Sequence, residues 1–253
     1  MRNSLTMILD AHTHVQDIPG SLWDSPPDRI IALMDKAGAE QAVIMTYSDA
    51  TPEDESFLRY VADCVARFPK RLIGFARLDP SSGEGAAALL ERALTKYGMR
   101  GLKLHPVGYR LLPSSEQTLE VIRVASRFRV PVLFHCGDEP YTLPLQIAEA
   151  ARQCPEARII LGHMGGYFHV EDAIRAARRF PHIYLETSAT PYPALIRKAV
   201  RELGARRVIF ASDGPGCTPP LEVEKIRLAE LTPDEERQVF SESFLRLLEE
   251  ARF

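Results

Sequence analysis

Short apolar segments rich in β-branched residues alternate along the chain with longer segments of helical periodicity. This alternation is typical of repeated strand–helix units that build a parallel sheet. Eight units can be counted. The predicted strands cover residues 7–15, 41–47, 71–78, 101–105, 131–136, 158–162, 182–187 and 208–212.

The segments between these strands carry apolar residues at helical spacing. Predicted helices cover residues 53–68, 85–97, 116–128, 145–153, 170–180 and 194–203, and a further segment, 221–231, follows the eighth strand. Thr232 to Glu235 then reads Thr-Pro-Asp-Glu, a strong helix N-terminus, so a last helix is predicted to run to Glu250. We expect this extra helix to close the base of the sheet barrel or to join a dimer.

The predicted fold is α/β, a (β/α)8 TIM-like barrel with one additional C-terminal helix. The chain of 253 residues has the usual length for one such barrel, and no linker divides it, so residues 1–253 are predicted to form a single domain. An open doubly wound sheet is the alternative. It would place a Gly-rich phosphate turn after the first strand, whereas this strand ends in Asp-Ala-His-Thr-His, residues 10–14.

Charge and composition narrow the function classes. The 31 basic and 34 acidic residues give a formal net charge of −3, without the basic face that a nucleic acid would need. A small-molecule substrate is therefore favoured. Residues 1–10 resemble neither a signal peptide nor a membrane-spanning helix, so a cytoplasmic protein that does not bind membranes is expected. The four cysteines are widely spaced and are predicted to be free thiols.

Polar residues with metal-binding chemistry fall at predicted strand ends, which converge at one mouth of a (β/α)8 barrel. His12 and His14 are two residues apart on the first strand and should face the same way. His135 ends the apolar fifth strand, and Asp213 follows the eighth, although a turn aspartate is its alternative interpretation. Three imidazoles and a carboxylate predict a site for one divalent metal ion, zinc first, with manganese or iron as alternatives.

Other residues near the same mouth are candidates for catalysis and substrate binding. His163 follows the sixth strand and is predicted to be catalytic together with Asp213. Lys103 and His105 should share a face of the fourth strand, so both are predicted to contact substrate, although Lys103 could equally be an ion-pair partner. Arg110, on the following loop, is predicted to bind an anionic substrate.

Several motifs in this order resemble the amidohydrolase superfamily. They are Asp-x-His-x-His at residues 10–14, Gly-Leu-Lys-Leu-His-Pro at 101–106, Phe-His-Cys-Gly at 134–137, Leu-Gly-His-Met-Gly-Gly at 161–166 and Ser-Asp at 212–213. The sequences of these motifs are most similar to those of the amidohydrolase-related branch. This branch includes metal-dependent hydrolases and the decarboxylases of aminocarboxymuconate semialdehyde and of resorcylates.

The resemblance implies metal ligation by His12, His14, His135 and Asp213, with His163 as the acid–base or electrostatic residue. In binuclear relatives the histidine of the sixth strand binds a second metal, and a lysine placed like Lys103 is carboxylated. A second metal near His163 and Lys103 therefore stays open.

Two reaction classes fit these residues. A metal-dependent hydrolase that attacks a C–O or C–N bond with metal-activated water is the first expectation. A metal-dependent decarboxylase of a small unsaturated or aromatic carboxylic acid is the alternative. A TatD-like nuclease ranks lower because its fourth strand usually supplies a glutamate, where this chain has Lys103 and His105. A barrel that only binds a metabolite is the non-enzymatic alternative. A homodimer is also compatible with the sequence.

Overall fold

Parallel strands alternate with covering helices throughout the computed structural model, which describes residues 6–253. Residues 1–5 of the predicted domain, and of the segment assessed for a signal peptide, lie outside the described residues. The strands are β1 (Leu9–His14), β2 (Gln41–Met45), β3 in two parts (Leu72–Gly74 and Ala76–Arg77), β4 (Leu102–Leu104), β5 (Pro131–Phe134), β6 (Arg158–Leu161), β7 (Ile183–Glu186) and β8 (Val208–Ile209).

Neighbouring strands pair in parallel in the order of the sequence. The segment that follows β8 returns to β1 and closes the ring. The backbone N–H of Ala11 donates to the carbonyl of Phe210 at 3.1 Å, and that of His14 donates to the carbonyl of Gly214 at 2.7 Å. The predicted (β/α)8 barrel is confirmed.

Most strands are shorter than the sequence predicts, and tertiary hydrogen bonds accompany two of these differences. The third strand is interrupted at Phe75, whose N–H donates to Ile44 of β2 at 3.0 Å, while the next residue, Ala76, donates to Gly101 at 2.9 Å. The eighth strand ends early because the N–H of Phe210 donates to the carbonyl of Val239 at 2.8 Å, in the C-terminal helical segment. The pattern of apolar and polar residues along the sequence does not show which carbonyl groups accept these hydrogen bonds.

A helix follows each strand, and the ends lie close to the predicted ones. The helices are α1 (Pro27–Ala37), α2 (Ser56–Arg67), α3 (Glu84–Thr95), α4 (Glu116–Arg127), α5 (Pro144–Gln153), α6 (Val170–Arg179), α7 (Pro193–Leu203) and α8 (Pro219–Leu228). A short helix, Pro106–Tyr109, intervenes between β4 and α4. Among residues 6–253, no helix combines the length and apolar character needed to cross a bilayer.

The additional C-terminal helix is continuous but changes its winding. It comprises Pro233–Arg237, a π-helical turn (Gln238–Glu242) and Ser243–Glu249. Thr232 and Glu235 form a capping box at its start, where a helix N-terminus is predicted. Its buried Phe244, Leu247 and Leu248 pack into the cluster of strand side chains that fills the barrel interior. The helix therefore closes the base of the barrel, the first of its two expected roles.

Candidate metal centre

Two histidines of β1 turn the same ring nitrogen toward the mouth of the barrel. Nδ1 of His12 lies 3.0 Å from Oε1 of Glu186, and Nδ1 of His14 lies 3.2 Å from the carbonyl oxygen of Thr46. Since both oxygens accept hydrogen bonds, each Nδ1 carries the proton. The lone pair of each neutral ring is therefore on Nε2, the atom available to a metal ion.

Asp213 completes a group of three potential metal ligands. It follows β8 with a left-handed φ of 58°. Its Oδ1 lies 3.4 Å from Nε2 of His12 and 3.2 Å from Nε2 of His14. The ligand atoms of these residues lie within 4.8 Å of one another. Two lone pairs and a carboxylate oxygen that face each other repel, so this donor set suits a divalent cation.

The protonation states of this group also suit a metal ion. Burial lowers the pKa of His12 and, to a lesser degree, that of His14, and so keeps both rings neutral at pH 7. Burial raises the pKa of Asp213, but the charge that His12 and His14 carry when they are protonated outweighs this and holds its pKa well below the ordinary value. Metal binding then requires no costly deprotonation.

His135, the fourth predicted ligand, lies beside this group but is not part of it. It follows β5, and its Nε2 lies 2.7 Å from Oδ2 of Asp138. Its Nδ1 lies 3.1 Å from Nε2 of His163. The structure thus brings together three of the four predicted ligands, and it places the fourth next to His163 with both ring nitrogens already engaged.

Lys103 and His105 reach the same mouth from β4, as their spacing predicts. Nζ of Lys103 lies 3.0 Å from Nε2 of His12. Burial lowers the pKa of Lys103 to about 7. The ring of His105 meets that of His135 edge-on, with 4.5 Å between centroids. Both side chains are therefore placed to contact a molecule bound beside His12, His14 and Asp213.

A cavity of about 350 Å³ opens beside the potential metal ligands His14 and Asp213. It is lined by His14, Ile18, Trp23, Tyr47, Arg77, Lys103, His105, His135 and Asp213. The ring of Tyr47 stacks on that of His14, with 4.4 Å between centroids. Arg110, predicted to bind substrate, instead lies exposed at the end of the short helix and is not among the described residues that line the cavity.

Arg77 and Glu186 are the residues that the sequence analysis missed. Arg77 ends β3 and lines the cavity, with its Nε 2.8 Å from Oδ1 of Asp49. Glu186 ends β7 and is fully buried. Both are charged residues at the end of an apolar strand, the same signal that singled out His135, and applying it to every strand would have found them.

A second cluster of potential ligands comprises His12, His163 and Glu186. Here Oε1 of Glu186 already accepts from Nδ1 of His12 at 3.0 Å and from the backbone N–H of His163 at 2.9 Å. These donors explain the cluster as a hydrogen-bonded network around a buried carboxylate.

A family model described as Amidohydrolase matches residues 9–248. The chain belongs to this family. This membership agrees with the resemblance carried by the strand-end motifs. A curated relative, a gamma-resorcylate decarboxylase from Polaromonas sp., is 24% identical over an alignment that covers 74% of this chain and 76% of the relative.

Solved structures share the fold of this amidohydrolase over nearly its whole length. The 5-carboxyvanillate decarboxylase from Sphingomonas paucimobilis has a TM-score of 0.78 at 17% identity, with 96% of this chain and 99% of the other covered. A dihydroxybenzoic acid decarboxylase from Polaromonas sp., solved with bound manganese and 2-nitroresorcinol, has a TM-score of 0.76 at 17% identity, with 97% of each chain covered.

Proposed function

We propose that this amidohydrolase is a metal-dependent decarboxylase of a small unsaturated or aromatic carboxylic acid. The observation that carries the proposal is that one cavity is lined by two of the three potential metal ligands, His14 and Asp213, together with two basic side chains, Arg77 and Lys103. A carboxylate substrate matches this charge. The decarboxylases among the relatives favour this alternative over the hydrolase that the sequence analysis ranked first.

His12, His14 and Asp213 would hold one divalent ion, with His135 adjacent as the fourth predicted ligand. The neutral Nε2 atoms and the ionised carboxylate fit zinc or manganese, and a relative contains manganese. When bound, the ion supplies positive charge that stabilises developing negative charge on substrate oxygens.

The remaining residues orient the substrate and move a proton. Arg77 and Lys103 attract anionic groups of the substrate, and Tyr47 and Trp23 form the wall on which a planar ring can lie. The carbon–carboxylate bond breaks with its electron pair left on carbon, and carbon dioxide departs. Protonated His163 delivers one proton to that carbon, so that one acid yields one carbon dioxide and one decarboxylated product.

A substrate screen tests the proposal. Protein stripped of metal and reloaded with manganese or zinc is incubated with aromatic and unsaturated carboxylic acids, and released carbon dioxide is measured. Esters, lactones, amides and DNA are assayed in parallel. Release of carbon dioxide that depends on metal supports the proposal. Hydrolysis of an ester, lactone or amide without any decarboxylation would overturn it, as would DNA cleavage alone.

The His163→Asn variant tests the proton donor in the same assay. Because Asn cannot supply the proton, we expect turnover to fall by roughly 10²–10⁴-fold, the usual contribution of general acid catalysis. The bound metal, measured by elemental analysis, should remain. Unchanged turnover would remove His163 from the mechanism.

A further inference from the structure

Three side chains of one segment hold His163, each at a different atom. Oε1 of Glu186 accepts the backbone N–H of His163 at 2.9 Å, and Oγ of Ser188 lies 2.7 Å from its Nδ1. Oγ1 of Thr190 donates to its carbonyl oxygen at 2.7 Å. These residues alternate along the chain at the end of β7, and we refer to Glu186, Ser188 and Thr190 as the His163 clamp.

The backbone at His163 needs such support. His163 and Met164 have φ angles of 57° and 50°, in the left-handed region that residues with a Cβ disfavour. Each left-handed residue costs about 1–2 kcal/mol. Strained backbone of this kind persists only where its surroundings fix it, and it concentrates at functional sites. The clamp supplies that fixing, because it bonds both backbone polar atoms of His163.

The hydrogen bonds of the clamp also have a direction. Oγ of Ser188 lies 3.0 Å from Oε1 of Glu186, and a carboxylate oxygen can only accept. The single hydroxyl proton of Ser188 therefore points to Glu186. Its oxygen is left to accept from Nδ1 of His163, so that ring carries a proton on Nδ1 and turns Nε2 toward Nδ1 of His135, 3.1 Å away.

Glu186 likewise determines which ring nitrogen of His12 carries the proton. Its Oε1 accepts from Nδ1 of His12 at 3.0 Å, and its Oε2 accepts the backbone N–H of Ser188 at 2.7 Å. The carboxylate is fully buried, so these donors replace the water that it has lost. One carboxylate thus fixes the tautomer of a proposed metal ligand and, through Ser188, that of the proposed proton donor.

We propose that Glu186 and Ser188 are positioning residues that couple the metal ligand His12 to the acid–base residue His163. Their role in turnover rests on the proposed function, whereas the tautomers and the metal affinity can be measured without it. Glu186 serves both histidines, and Ser188 serves only His163. Substitutions of the two residues should therefore cause different defects.

Variants at the two positions separate these effects. In Ser188→Ala, metal affinity should stay within about twofold, while kcat falls roughly 10–100-fold with little change in KM. Ser188→Thr keeps the hydroxyl and should restore most of kcat. In Glu186→Gln, an amide N–H₂ faces the N–H of Ser188, and both metal affinity and kcat should fall roughly 10–100-fold.

Glu222→Gln is the matched control. Glu222 is also a buried carboxylate that accepts a backbone N–H of this segment, from Ala189 at 3.1 Å, but it bonds neither histidine. Metal affinity is measured by chelator competition, and the histidine tautomers by ¹⁵N NMR of the metal-free protein. The Nδ1-protonated form of His163 should dominate in the parent and in Glu222→Gln and be lost in Ser188→Ala.

The outcomes separate the two proposals. Loss of the His163 tautomer in Ser188→Ala, with metal affinity retained, supports the clamp even if no carboxylic acid is turned over. An unchanged tautomer in Ser188→Ala, or equal losses of metal affinity in Glu222→Gln and Glu186→Gln, would overturn it. Neither of those results depends on the identity of the substrate.

Discussion

Nζ of Lys103 lies 3.0 Å from Nε2 of His12, the same nitrogen that faces Asp213. A lysine side chain thus shares the lone pair that a metal ion would use. When Lys103 is protonated, the contact places positive charge at the edge of the proposed metal position, so that the ion and the ammonium group repel each other.

Removing this charge should strengthen metal binding. We expect Lys103→Met to lower the Kd for manganese or zinc by about tenfold, equivalent to 1.4 kcal/mol. The KM of a carboxylate substrate should rise in the same variant, since one of its cationic partners is gone. Chelator competition measures the first effect, and Lys103→Arg, which keeps the charge, is the control. Weaker metal binding in Lys103→Met would contradict the prediction.

Arg77 and Arg110 provide a matched pair for anion binding. Arg77 lines the cavity, whereas Arg110 is exposed outside it. We expect Arg77→Gln to reduce kcat/KM for a carboxylic acid by roughly 10–100-fold, because a charge-assisted hydrogen bond contributes about 1.5–3 kcal/mol. Arg110→Gln should stay within about twofold. Steady-state kinetics distinguishes the two residues, and the reverse ranking would restore Arg110 as the substrate contact.

Phe244 tests the closure of the barrel base. Its ring is buried, with its centroid 6.1 Å from that of Phe75. Phe244→Ala should lower the free energy of unfolding by about 3–5 kcal/mol through the cavity that it leaves. Phe253, which is 58% exposed, is the control, and its alanine variant should lose less than about 1 kcal/mol. Urea denaturation measures both, and similar losses would contradict the proposed packing.

Glu222 predicts a specific pH dependence of stability. Burial raises its pKa from 4.5 to about 6, against the opposing attraction of Lys225. Between these two values the folded chain holds a proton that the unfolded chain has released. The contribution of Glu222 to stability therefore falls as pH rises through this window.

Glu222→Gln removes that titration. As pH rises from 4.5 to 6, the unfolding free energy of the parent should fall by up to about 2 kcal/mol relative to that of the variant. Urea denaturation of metal-free protein at several pH values in this range measures the shift. A constant difference would show that Glu222 has the same pKa in both states.

The sequence was sufficient for the fold because strand and helix periods differ and recur in a fixed order. It also placed His12, His14 and Asp213 correctly at one mouth, since parallel strands of a barrel end together. It did not give the orientation of His135, which depends on a hydrogen bond to Asp138 in the next loop. Arg110 was favoured for its loop position, but the loop turns it outward.

The C-terminal helix has a consequence for how the chain acquires its structure. Phe244 and Leu247 complete an interior that also contains Leu9 of the first strand and Ile160 of the sixth. A ribosome synthesises this helix after all eight strands, at about 5–20 residues per second. Until the helix emerges from the ribosome, the apolar side chains at the base of the barrel face solvent. We therefore expect the nascent barrel to depend on chaperones until its last helix has been translated.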